Sequence, residues 1–249
     1  MPLRPLVLSL ALALAATATP AFAAQAPQAA QAEQGKAARL NALYEQYWEE
    51  TLKLNPIQAT FQGDPRYNDQ LPDFLSAEFR QQAHDFTVRW LKAVKDIGPA
   101  GLQGQDLISY EIFVRDAEQS LESEKYPGWQ QPINQFGSIA SFAVQLGSGT
   151  GAQPFKTVKD YENWLARGNR LPVLFDSAIA NMREGMKTGV VQPQALMVTV
   201  LPQLDALIKD KPEETLFWGP IERMPKEFSD ADKQRLTAEY RAMIGDKVM

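Results

Sequence analysis

The 249-residue sequence contains no cysteine and a single histidine, His84. The first absence excludes a disulfide framework, a thiolate metal site and a cysteine nucleophile, so stability has to come from a packed core. The second removes most metallopeptidase and triad chemistry. A helical zinc site of the H-E-x-x-H kind needs two histidines one turn apart, and a Ser-His-Asp relay would have to use His84. No G-x-S-x-G elbow occurs. The nearest fragment, Gly147-Ser148-Gly149, lacks the strand and helix that would hold a nucleophile at a sharp turn. Lys156-Thr157 has the end of a phosphate-binding loop without its glycines, since Thr150 and Phe155 stand in their places. Alternating apolar and polar strand patterns, internal repeats, EF-hand spacing and Lys/Arg-rich runs are also missing. The last of these, with a net charge of −5, gives no reason to expect a nucleic-acid partner. Beyond the N-terminus no apolar run reaches the roughly 20 residues that span a bilayer, so no membrane anchor is expected in the mature chain.

The chain does have a three-part leader. Arg4 precedes an apolar run from Leu6 to Ala18, Pro20 breaks it, and Ala21-Phe22-Ala23 supplies the small-x-small pattern of a signal-peptidase site. The expected cut lies between Ala23 and Ala24. The mature protein is then exported, periplasmic or secreted, and one charge more negative than the full sequence. Residues 24–35, rich in Ala and Gln with Pro27, read as a flexible linker, and residues 36–249 as one helical domain.

Helical periodicity fills that domain. Leu40, Leu43, Tyr44, Tyr47, Trp48 and Leu52 form one stripe, which Pro56 ends. A second helix runs from Ser76 to Ile97 with Phe79, Ala83, Phe86, Trp90 and Val94 inward. A third starts with Asp106 as cap and buries Leu107, Tyr110, Val114, Ala117 and Leu121. A short piece near Ser138–Leu146 follows. Thr157-Val158-Lys159-Asp160 has the form of a capping box. Pro172 kinks that helix or opens the next, whose face is Phe175, Ile179, Met182 and Met186. Pro193 fits the first turn of a helix kinked at Pro202, and Leu236, Tyr240 and Ile244 line the last one. The fold class is all-α, an irregular domain of about seven to nine helices.

Residues with chemical potential are few. The neighbouring carboxylates Glu49-Glu50, Asp116 with Glu118, Glu122 with Glu124, and Glu213-Glu214 resemble solvated helix faces far more than acid–base pairs. The segment Met182 to Pro193 is less ordinary. A helix C-terminus and turn account for its glycines and proline, yet Arg183, Glu184, Gly185, Gly189 and Pro193 could also form one wall of a binding cleft, with Arg183 offered to a substrate carboxylate.

Asn55-Pro56, Ala59-Thr60 and Gly63, then Asp160-Tyr161 leading to Pro172, and above all the Arg-Glu-Gly-x-x-x-Gly-x-x-x-Pro pattern of 183–193, resemble a large bacterial family known as domain of unknown function 885. The resemblance runs from about Leu40 to Val248. It implies a helical, exported protein similar to zinc metallopeptidases, with an H-E-x-x-x-G-H-like zinc motif in the later half of a considerably longer chain. No metal ligand or catalytic residue of that motif maps onto a position here. Zinc is therefore expected of full-length members and no cofactor of this chain. The resulting expectation is an N-terminal, non-catalytic portion of a metallopeptidase-like protein, inactive alone, whose partners are a peptide substrate or the missing C-terminal half. The alternative is a stand-alone periplasmic helical binding or scaffold protein.

Overall fold

The computed structural model describes residues 25–249, with side chains from residue 35 onward. Among them the protein is all-α, built from ten α-helices joined by loops and 3₁₀ turns, with an isolated bridge at Asn134–Gly137 as its sole β feature. Two of the ten, α2 (Pro56–Phe61) and α9 (Gly219–Glu222), are one or two turns long. The eight longer ones are α1 (Gln25–Leu54), α3 (Ala77–Ile97), α4 (Gly104–Ser123), α5 (Ile139–Gly147), α6 (Val158–Gly168), α7 (Leu171–Thr188), α8 (Gln194–Asp205) and α10 (Asp230–Lys247). None of the described helices is long and apolar enough to cross a membrane. The leader, residues 1–23, and the Ala23–Ala24 cut lie outside the described residues.

Helix starts follow their caps. The Ser76 side chain accepts from Phe79 N, Ser229 accepts from Asp232 N, and Ser138 and Thr157 each form a reciprocal capping box, the second with Asp160 in place of the usual Glu. Three boundaries differ from the sequence reading. The segment 25–35 continues α1 rather than forming a flexible linker, because Ala and Gln are good helix formers and Pro27 falls in the first turn, where its missing N–H costs nothing. Pro56 opens α2 as its first residue, with Asn55 as cap, instead of only ending α1. Finally, α4 begins at Gly104 after Gln103, ahead of the expected Asp106 cap, and Tyr110 is its one fully buried side chain.

Two hydrophobic cores result. The larger gathers Tyr161, Trp164 and Leu165 of α6, Leu171 and Leu174 of α7, Leu236, Tyr240 and Ile244 of α10, and Ile139 and Leu146 of α5. At its centre the Trp164 ring stacks on Phe217, centroids 6.1 Å apart. The smaller core joins Leu40 of α1, Val94 of α3, Leu102 and Tyr110. Helix α3 packs on both α1 and α4, so these three make an arm beside the main body. The face of α7 is also corrected. Leu171, Leu174, Ala178, Asn181 and Gly185 point inward, while Ile179 and Met186, expected inside, are exposed. The helix carries apolar residues on two sides, and periodicity alone does not say which side finds a partner.

Candidate functional site

The Met182–Pro193 segment folds as a helix end and a reversal. Gly189 takes the left-handed conformation (φ 82°) that caps α7, and Pro193 caps the start of α8. Gly185 is buried because the chain folds back over it. A Cβ there would stand 2.4 Å from the Val190 carbonyl oxygen and 3.1 Å from that of Gln130. Gln130 is itself buried, and its side-chain oxygen accepts from Thr188 Oγ1 at 2.8 Å. Glu184 pairs with Lys187 at 3.0 Å on the surface. In front of this reversal lies an apolar cavity of about 230 Å³, lined by Ile133, Met182, Met186, Val191 and Met197 among others. Met182, Met186, Val190, Val191 and Gln192 of this segment line the hollow, whereas Arg183, Glu184, Gly185, Gly189 and Pro193 are not part of its lining. Gly185 and Gly189 shape it from behind, and Arg183 stands exposed outside the lining.

The apolar surface extends beyond that cavity. A second hollow of about 200 Å³ is bounded by Phe175, Leu204, Ile208, Phe217 and Met249. Between the two runs α8, of which Val200 is the one fully buried residue, while Val198 and Leu201 are each 57% exposed. Met186 and Ile208 beside it are 74% and 73% exposed. A helix apolar on all sides is ordinarily buried. No sequence signal flagged this, because α8 reads as an unremarkable core helix until its neighbours are known.

Asn55-Pro56, Thr60 and the loop after Gly63 have a structural task. The guanidinium of Arg167, fully buried, donates to the carbonyls of Pro56, Tyr67 and Gln70, to Thr60 Oγ1 and to the Gln153 side chain. No carboxylate touches it. Burial pushes its pKa down to about 10, with Asp69 opposing, and the five acceptors compensate the charge through their dipoles. Asp160 closes the capping box of α6, and the adjacent Tyr161 hydroxyl donates to the Pro220 carbonyl at 2.8 Å. These residues lock α2 and its loop onto α6 and do no evident chemistry.

His84 finds a partner that its sequence neighbourhood did not suggest. Antiparallel packing of α3 and α4 brings its Nδ1 to 2.6 Å from Glu124 Oε2, 40 residues on, at the edge of an open cleft of about 610 Å³ where Arg80 lies 4.1 Å from the Trp129 ring centroid. Both members of the pair are two-fifths exposed. Several other acids are paired at the surface: Glu49 and Asp64 by Arg66, which holds both carboxyls below their usual range, Glu50 by Arg89, Glu122 by Lys125, and Glu213 by Arg241. Among the described residues no three His, Asp or Glu side chains converge to hold a metal ion. The residues present do not fit a zinc ion, since the lone imidazole is joined by a single carboxylate.

No curated protein matches the sequence. The family model described as Bacterial protein of unknown function (DUF885) matches residues 56–249, from the first residue of α2 onward through the Arg167 lock, the Gly185 reversal and α8, and the chain belongs to that family.

Proposed function

We propose that this chain is the non-catalytic, N-terminal supporting portion of an exported metallopeptidase-like protein, and that α8 with the end of α7 is the face on which the zinc-bearing portion packs. The observation that carries the reading is the exposure of α8, an apolar helix with one buried side chain between two apolar hollows. Isolated helices of this length are marginal in water, and an apolar patch of this kind favours a covering partner. With no converging metal ligands among the described residues, this reading leaves the chemistry to that partner segment, and the Gly185 reversal fixes the turn behind the apolar hollow. The leader at 1–23 supports export, with maturation between Ala23 and Ala24.

The test mixes the mature chain with a separately prepared C-terminal half of a longer family member, then measures zinc content, peptide cleavage and binding of a surface-hydrophobicity dye. A supporting role gives an inactive chain alone, and a complex that gains activity while losing dye binding. Stoichiometric zinc or peptide cleavage by the chain alone overturns it. The rival reading, a stand-alone binding or scaffold protein, draws support from the aromatic cavity in the α1–α3–α4 arm.

A further inference from the structure

That cavity, about 440 Å³, lies over α3 between α1 and α4 and is far from α8 in sequence. Its size falls in the range of small-molecule sites. Tyr44, Tyr47, Trp90 and Phe113 line it, with the Tyr47 and Phe113 rings meeting edge to face at 4.9 Å. Asp116 contributes a carboxylate and Ser109 a hydroxyl, and none of the lining residues is Lys, Arg or His. Asp106 adds a second negative charge near Tyr44, whose phenol is raised by burial first, then by Tyr110 and Asp106.

Elsewhere the same fold shows what such a combination holds. The Arg89 guanidinium lies 5.6 Å from the Phe86 ring and 5.1 Å from that of Trp90 while bound to Glu50. Arg66 sits 5.4 Å over Tyr67 with Glu49 and Asp64, and Arg241 5.2 Å over Trp218 with Glu213. Three times an aromatic face and a carboxylate together seat a guanidinium. In the arm cavity the rings and the carboxylate are present, and the cation–ring contacts among the described residues do not include them, apart from the Arg89 side of Trp90. Among the described residues Asp116 pairs only with its sequence neighbour Arg115, at 3.3 Å, in a pair whose side chains are 64% and 60% exposed and which water competes for easily.

We propose that the arm cavity is a binding site for a small organic cation of the alkylammonium or guanidinium class. The ring faces attract the positive charge through their quadrupoles, and Asp116 supplies the counter-charge at the rim. The apolar body of the ligand displaces water from the rings, and Ser109 is placed to meet a polar substituent.

The experiment is calorimetric titration of the full chain with choline and with dimethylbutanol, its neutral carbon isostere. Choline should bind about tenfold more tightly than the isostere, the margin a desolvated cation–ring contact provides. Asp116→Asn, at an exposed position, should weaken choline several-fold and leave the isostere unchanged, with an unaltered melting curve showing that the fold is intact. Tyr47→Phe should retain choline and Tyr47→Leu should lose it. Equal affinity for the two probes, no heat with choline, or no effect of Asp116→Asn overturns the assignment. None of these readouts involves α8, so a failure of this assignment is distinguishable from a failure of the proposed supporting role.

Discussion

Arg167 is the residue on which the α2 loop and α6 most depend. Replacing it with Met removes the donor to Thr60 Oγ1, the Gln153 side-chain oxygen and the Gln70 carbonyl, and one of the two donors to the Tyr67 carbonyl. The expected loss in unfolding free energy is about 3 kcal/mol or more by urea denaturation, and Arg167→Lys recovers little of it, because one ammonium does not reach acceptors spread over a guanidinium fork. Two buried phenols set the alkaline limit. Burial raises Tyr161 to about 12 and Tyr240 well above its usual value. In the unfolded chain both ionise near pH 10, so the unfolded state holds fewer protons from there upward and stability falls as pH rises. Arg167 and Arg80 act in the opposite sense, since a guanidinium lowered by burial releases a proton from the folded state, but the raised phenols of Tyr161, Tyr240 and Tyr44 outnumber them. Melting temperature should therefore be flat from neutral pH to about 9 and decline above 10, with Tyr240→Phe softening the decline. The motif residues Pro56 and Thr60 were visible in the sequence, whereas Arg167 was not. Four of its five partners lie about a hundred residues away, and a backbone carbonyl carries no residue-type signature.

At the level of elements, the starts with side-chain caps from Ser or Thr were the legible part. Ser76, Ser138, Thr157 and Ser229 each cap the helix their position announces, because a cap is a local bond between residues three apart. Which face turns inward was less legible. The last helix buries Leu236, Tyr240 and Ile244 as its spacing requires, yet α7 turned its second apolar stripe outward. The outcome depended on the Gln130 loop packing against Gly185, a long-range event. Close helix contacts yield an ordering of glycine variants. A Cβ at Gly147 would meet the Trp164 ring at 2.1 Å, one at Gly185 the Val190 carbonyl at 2.4 Å, and one at Gly168 the Met243 sulfur at 2.6 Å. The first two obstacles are a fully buried ring and a backbone, whereas the third is the end of a flexible chain. Gly147→Ala and Gly185→Ala should each cost about 1–3 kcal/mol, and Gly168→Ala clearly less, in parallel thermal melts.

For the molecule as a whole, the decisive property is an unequal distribution of cover. The α6–α10 body is densely enclosed, while α8 and the hollows beside it face outward. Substituting Val198→Lys and Leu201→Glu together should lower dye binding and any self-association of the isolated chain. The unfolding free energy should stay within about 0.5 kcal/mol, since neither side chain is buried here. In the mixing experiment the same pair should abolish complex formation. A pair that leaves the complex intact would move the docking face elsewhere. The all-α class was readable from periodicity, but the exposed face was not, since hydropathy marks what prefers burial and not whether cover is present.

The stacking of Trp164 on Phe217 has an optical consequence. Its indole N–H is buried without a hydrogen-bond partner, and its ring lies against Phe155 and Phe217, while Trp48 in the arm is 39% exposed. Trp164 should therefore emit at the short-wavelength end of tryptophan fluorescence and Trp48 toward the red. The protein has five tryptophans, and Trp90 in the arm is likewise buried with an unpartnered indole N–H, so a variant with Trp90, Trp129 and Trp218 replaced by Phe would leave Trp164 as the reporter inside the body and Trp48 as the one on the arm, and the two colours would register separately which of the two opens first.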